Sequence, residues 1–179
     1  ARLVTRFPEL PLWSFGNGVP FADAETRAWI ENEAKPLLGG GSGGAILPPI
    51  LGEDFEPLNQ EFLKRAAELP ANFEANLAAM EKGLAGETRA QGRFLRSLHI
   101  VQFCLRARQY ELARVRLRRL METVAERRLE DWEPALAVAA WESMYFVNAK
   151  LAESAKDAAE REALAGENRE LFSKIGNCD

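Results

Sequence analysis

The amino-acid sequence predicts an all-α protein, in which antiparallel helical hairpins form a tetratricopeptide-like or α-solenoid stack behind an extended Pro/Gly-rich N-terminal arm. Two observations predict this class. First, apolar residues recur at helical spacing through most of residues 54–151, with few loop residues between successive patterns. Second, the patterns in residues 93–151 carry more apolar surface than a lone hairpin can bury. Each helix therefore needs further neighbours, in the same chain or in another subunit.

Residues 1–44 are predicted to form the N-terminal arm, a short helix and a glycine-rich linker. The arm is rich in proline, glycine and aromatic residues, which favour extended backbone and turns. Asp23 can cap a helix at residues 24–35, because its carboxylate can accept the free N–H groups of the first turn. The glycines of residues 39–44 lack the Lys-Ser/Thr of a phosphate-binding loop and read as a flexible linker. A helical oligomerisation domain is predicted at residues 45–179.

Within this domain, apolar stripes and turn signals predict five helices, followed by a polar, alanine-rich helix and a last short one. The predicted helices span residues 54–70, 73–86, 89–106, 109–128, 129–151, 155–165 and 168–175. In the fourth helix, Ala113, Leu117, Leu120 and Val124 form the inner stripe, and Val115 falls on the opposite side. The fifth is the most apolar and carries such residues nearly all round.

Four residues of the fifth helix form the first candidate interface. Trp132, Pro134, Trp141 and Tyr145 lie on one broad side of the helix, given their spacing. Two interpretations stay open: the group belongs to the core of the domain, or it forms a subunit contact, in which aromatic residues often supply most of the binding energy.

Arg114 and Arg118 form the second candidate, one turn apart on a helix rich in arginine. They could bind a carboxylate patch or a phosphate backbone. Glutamates are interleaved with these arginines, no aromatic platform accompanies them, and the net charge of the chain is −4. A solvated or subunit-pairing face is therefore favoured over nucleic-acid binding. Because residues 153–170 are mainly acidic, oppositely charged faces are expected to meet within or between subunits.

The sequence carries no pattern that predicts catalysis. His99 is the sole histidine, and it has no Cys, Asp or Glu three or four positions away with which to bind a metal. No nucleophile elbow, dinucleotide fingerprint or paired-cysteine zinc spacing occurs. Cys104 and Cys178 lie far apart in unlike settings, which suits a reducing compartment. We expect no catalytic residue, cofactor, metal or small-molecule substrate, and an enzyme would require a deep polar pocket around His99.

The order of several short motifs resembles a known family. These motifs are Gly92-Arg93-Phe94, Tyr110-x-Leu112-Ala113, Leu117-x-x-Leu120 and Leu129-x-x-Trp132-x-Pro134-x-Leu136, with Gly18-Val19-Pro20-Phe21-Ala22-Asp23 upstream. Together they resemble the C-terminal, VasJ-type region of the TssA proteins of bacterial type VI secretion. The resemblance covers roughly residues 12–151.

This resemblance implies a structural component of the bacterial cytoplasm that assembles into a ring, single or as two stacked rings. Its implied partners are the baseplate, inner-tube and sheath proteins, and it would help to cap or coordinate sheath polymerisation. Family analogy adds the membrane complex as a candidate partner. The alternative from the residues alone is a monomeric tetratricopeptide-like module that binds a client peptide or helix in its groove. In that case Arg114 and Arg118 would contact acidic residues of the client.

Overall fold

The apolar stripes of the sequence become helices in a computed structural model that describes residues 48–49 and 51–178. These residues belong to one unit of the chain, Pro48–Asp179, and within them the fold is all helical without a strand. The predicted arm, short helix and linker of residues 1–44 lie outside the described residues. In the described part of the chain, no helix is long and apolar enough to cross a membrane.

A 3-10 turn at Glu53–Phe55 leads into seven α-helices that follow one another with short connections. The helices are α1 (Glu56–Ala66), α2 (Phe73–Gly86), α3 (Ala90–Arg106), α4 (Tyr110–Arg127), α5 (Leu129–Trp132), α6 (Pro134–Ser154) and α7 (Ala158–Asn177). The first four agree with the predicted spans to within a few residues at each end, which is the usual uncertainty of helix boundaries.

The prediction of one continuous helix at residues 129–151 is wrong. The chain leaves α5 at Glu133, whose φ of −135° and ψ of 57° are not helical, and α6 begins at Pro134. Proline disfavours the α conformation of the residue before it, yet its fixed φ suits the first position of a helix. Pro134 therefore ends one helix and starts the next. Arg128 separates α4 from α5 by adopting a left-handed φ of 48°.

The prediction of two short helices near the C-terminus is also wrong, because α7 is continuous. The Asp157 carboxylate caps it by accepting a hydrogen bond from the Ala159 N–H at 3.0 Å. A helix tolerates a single internal glycine at a cost of about 1 kcal/mol, so Gly166 does not interrupt it. Leu164, Leu171 and Ile175 form the buried stripe of α7, which packs against α6.

Two helices occupy the interior of the domain and explain the excess of apolar surface in the sequence. Helix α3 packs against α1, α2, α4 and α6, and every residue from Leu98 to Leu105 is buried. Helix α6 packs against α3, α4 and α7, with eleven buried residues around most of its circumference. Helices of the same chain thus cover these surfaces. The apolar circumference of α6 does not by itself require a second subunit.

A series of buried hydrogen bonds connects the first described residues to this core. Asn59 of α1 donates a hydrogen bond from Nδ2 to the Pro49 carbonyl oxygen at 3.1 Å. Its Oδ1 lies 2.9 Å from Nε2 of His99 on α3. The imidazole is stacked on the Phe62 ring, with 4.8 Å between ring centroids and 10° between planes. Since Asn59 and His99 are both buried, these partners offset the loss of water that burial imposes.

Gly92, in the first turn of α3, allows the connection from α2 to pack closely. A methyl group on Gly92 would lie 2.6 Å from Cδ of Glu87. The Glu87 carboxylate accepts hydrogen bonds from Nε of Arg89 at 3.0 Å and from its backbone N–H at 3.1 Å, and it forms an ion pair with Arg96 at 3.5 Å. The hydrogen bonds from Arg89 are the main reason that the pKa of Glu87 falls to about 2.

Replacing Gly92 with alanine is expected to stabilise the fold less than helix propensity alone would, because the methyl group displaces the Glu87 carboxylate from both arginines. The matched control is Gly166→Ala in α7, where the nearest atom, Nη2 of Arg169, lies 3.8 Å away. That variant should gain up to about 1 kcal/mol from helix propensity. Urea denaturation measures both changes. Equal stabilisation by the two alanines would show that Glu87 imposes no packing limit at Gly92.

Candidate interaction surfaces

Helix α4 carries both predicted arginines, and the structure places them in different environments. The Arg114 guanidinium lies 3.2 Å from both carboxylate oxygens of Glu167 on α7. Glu167 also accepts a hydrogen bond from Nδ2 of the buried Asn148 on α6 at 3.0 Å. Arg114 therefore ties α4 to α6 and α7 within the subunit. Arg118 is exposed and makes no hydrogen bond or ion pair with a described residue.

Some of the arginines of α4 thus form ion pairs with acidic residues of the same subunit, as the uneven charge distribution of the sequence suggested. Besides the Arg114–Glu167 pair, Arg116 of α4 pairs with Glu81 of α2. These two pairs flank α4, because Arg114 and Arg116 point to opposite sides of the buried stripe. The arginines on the outward side of α4 remain in contact with solvent.

The aromatic group predicted on one helix divides between two helices and between core and surface. Trp132 of α5 is 59% exposed, and its Nε1–H donates a hydrogen bond to the Arg127 carbonyl oxygen at 2.9 Å. Pro134 is exposed at the start of α6. One turn apart on α6, Trp141 is only 4% exposed whereas Tyr145 is 41% exposed. The structure therefore brings Trp132, Pro134 and Tyr145 to the surface and assigns Trp141 to the core of the subunit.

His99 lines an open cleft together with Phe62, Met80 and the charged side chains of α1 and α3. The polar groups of the cleft bind one another. Nη2 of Arg65 and Nη1 of Arg96 each lie 3.1 Å from the Glu61 carboxylate. Partial burial raises the pKa of Glu61, but the hydrogen bonds from these arginines outweigh that effect and lower it overall. In the described residues, no group of three His, Cys, Asp or Glu side chains is placed to hold a metal ion.

The histidine itself is held neutral. His99 is 2% exposed, and burial, with a smaller contribution from the charge of Arg96, lowers its pKa to about 3. Because the Asn59 Oδ1 atom can only accept a hydrogen bond, the neutral imidazole carries its proton on Nε2 and donates a hydrogen bond from there to Asn59. Packing and hydrogen bonding therefore give His99 a structural role between α1 and α3.

Comparison with known proteins gives this helical chain a family. Residues 1–144 match the model of the type VI secretion family that includes EvfE, EvfF, ImpA, BimE and VasJ. The chain belongs to this family. The resemblance read from the sequence motifs is therefore confirmed, and the chain is a type VI secretion component of the ImpA/VasJ type. No curated protein and no solved structure matches the chain.

Among the motif residues that the structure describes, most lie in the core rather than on the surface. The buried ones are Gly92, Phe94, Ala113, Leu117, Leu120, Leu129 and Leu136. The Tyr110 ring meets the Phe146 ring edge-on, with 6.5 Å between centroids, at the contact of α4 with α6. The motifs of this secretion component therefore describe how its helices pack. The exposed motif residues in the described part of the chain are Arg93, Leu112, Trp132 and Pro134.

Sequence reasoning missed three exposed apolar residues of this VasJ-type domain as interface candidates. Leu112 and Val115 of α4 are 36% and 59% exposed, and Phe172 of α7 is also exposed. The signal for the first two was present, because they lie three positions apart and away from the stripe of Ala113 and Leu117. No comparable signal marked Phe172, since the predicted helix that holds it, residues 168–175, was short and showed no apolar stripe.

Proposed function

We propose that this type VI secretion component is a non-catalytic assembly protein whose helical domain, residues 45–179, forms a ring. The ring docks on baseplate, inner-tube and sheath proteins in the bacterial cytoplasm, and it helps to cap or coordinate the polymerisation of sheath and tube. The observation that carries this proposal is the family match over residues 1–144. Family analogy extends the partners to the membrane complex.

The succession of helix neighbours supports a tetratricopeptide-like stack as the scaffold of this domain. Helix α3 packs against α2 and α4, and α6 packs against α4 and α7. The start of α4 lies beside the second half of α6 at the Tyr110–Phe146 contact, so these two helices run antiparallel. Stacks of this kind bury their apolar faces internally and leave extended surfaces for other proteins.

The exposed members of the predicted site are the contact residues of this proposal: Arg118, Trp132, Pro134 and Tyr145. Trp141 and Arg114 act from inside the subunit, the first by packing in the core and the second by holding α4 against α7. Exposed aromatic and arginine side chains are typical of the energetic centre of protein interfaces.

The test is the absolute mass of the chain in solution, by light scattering after size exclusion at two protein and two salt concentrations. We expect a fixed multiple of 20.0 kDa that is well above a dimer. A monomer under all four conditions would contradict ring formation and favour the groove-binding module. That alternative uses Arg114 as a client contact, which the Arg114–Glu167 pair opposes.

A further inference from the structure

The outward face of α4 carries an exposed ridge that the fold leaves uncovered. The ridge consists of Glu111, Leu112, Val115, Arg118, Arg119 and Glu122, all exposed. It lies opposite the buried stripe of α4, which is why it points away from α3 and α6. Val115 is the most exposed apolar residue of the ridge, at 59%, and Leu112 lies one turn away at 36%.

The charged members of this ridge have no partner within the described part of the chain. Arg114 and Arg116, on the flanks of α4, are paired with Glu167 and Glu81. No hydrogen bond or ion pair to a described residue engages the side chains of Glu111, Arg118, Arg119 or Glu122. Arginine is the only basic residue type in α4, and interfaces favour arginine over lysine.

The charges of the ridge are placed symmetrically about Val115, with an acidic residue on one side and a basic residue on the other. Glu111 lies four positions before Val115 and Arg119 lies four positions after it. In an antiparallel pair of α4 helices related by a two-fold axis through Val115, each Glu111 faces Arg119 of the other copy. Leu112 and Arg118, three positions on either side, also face each other, so that the arginine stem covers the leucine.

We propose that this ridge is a two-fold interface in which α4 packs antiparallel against α4 of a second copy of this chain. The contact centres on Val115 against Val115 and is closed on both sides by Glu111–Arg119 pairs. It rests on the proposed self-assembly and adds to it, because a two-fold contact combined with a ring contact produces two stacked rings.

The first test exchanges the charges. Glu111→Arg and Arg119→Glu, made singly, each place like charges opposite one another twice and should weaken the contact by at least about tenfold in dissociation constant. The double variant restores opposite charges and should recover the wild-type mass. Light scattering across a dilution series measures the mass, and circular dichroism checks that each variant remains helical. Failure of the double variant to recover the mass would overturn this geometry.

The second test uses a property of a two-fold axis, namely that a residue on it faces its own copy. In a Cys178→Ser background, which leaves only the buried Cys104, the variant Val115→Cys should form a covalent dimer under mild oxidation. The matched control is Ala125→Cys, exposed on the same helix, whose copies would lie about 30 Å apart along the paired helices. Equal cross-linking at both positions, or none at Val115, would contradict the two-fold contact.

These outcomes separate this interface from the proposed function. A wild-type chain that is monomeric at every concentration overturns both. A wild-type oligomer whose mass is unchanged in Glu111→Arg and in Arg119→Glu overturns the α4 interface alone and leaves ring formation standing.

Discussion

Replacing Trp141 with alanine is expected to lower the free energy of unfolding by about 3–5 kcal/mol, because truncation of a buried tryptophan removes its apolar contacts and leaves a cavity. The indole is 4% exposed on the face of α6 that other helices of the subunit cover. Since a small domain is stable by only about 5–15 kcal/mol, this loss should appear as a large shift of the urea midpoint.

Tyr145→Ala is the matched control, one turn further along α6. The Tyr145 ring is 41% exposed, so its truncation should cost no more than about 1 kcal/mol. The pair of variants separates the two interpretations of the aromatic group, core and interface. A stable Trp141→Ala chain that assembles less well would make Trp141 an interface residue and contradict its assignment to the core.

The second large effect is a loss of stability on mild acidification, which we attribute to His99. In the unfolded chain a histidine takes up a proton near pH 6.5, whereas in the fold the pKa of His99 is about 3. Between these values the unfolded state binds more protons, so stability is complete above pH 6.5 and falls as the pH decreases. We expect a loss of about 2 kcal/mol between pH 7 and pH 5.

This window isolates one side chain, because His99 is the only histidine of the chain and carboxyl groups titrate mainly below pH 5. Urea unfolding at several pH values measures the slope. The control is His99→Gln, which keeps a donor for Asn59 but does not titrate, and its stability should be nearly constant from pH 7 to pH 5. A wild-type slope equal to that of the variant would show that His99 is protonated in the fold as readily as in water.

The sequence was sufficient to predict the helical class and the buried stripe of α4, because this stripe repeats over several turns. Ala113, Leu117, Leu120 and Val124 were predicted to face inward together, and all four are buried. This agreement follows from local periodicity, which can be read from one segment without knowing which helices pack against it. The same periodicity placed Val115 on the outer side of α4.

The candidate site was harder to predict, because exposure depends on which helices cover a face. Their spacing places Arg114 and Arg118 on the same face of α4. Only Arg114 reaches Glu167, which lies 53 positions away along the chain. Trp141 and Tyr145 lie one turn apart on α6, yet the first is 4% exposed and the second 41% exposed. Spacing on one helix carries no information about a partner so distant in sequence.

Helix α7 gives the domain a folding boundary that differs from its family boundary. The match to the VasJ-type family ends at residue 144, in the middle of α6, whereas α6 runs to Ser154 and α7 continues to Asn177. Leu164, Leu171 and Ile175 shield the flank of α6 that would otherwise meet solvent. A chain truncated at residue 144 would end in the middle of α6 and expose apolar surface that is buried in the complete domain. The part of this secretion component that folds as one unit therefore extends beyond the residues that match the family.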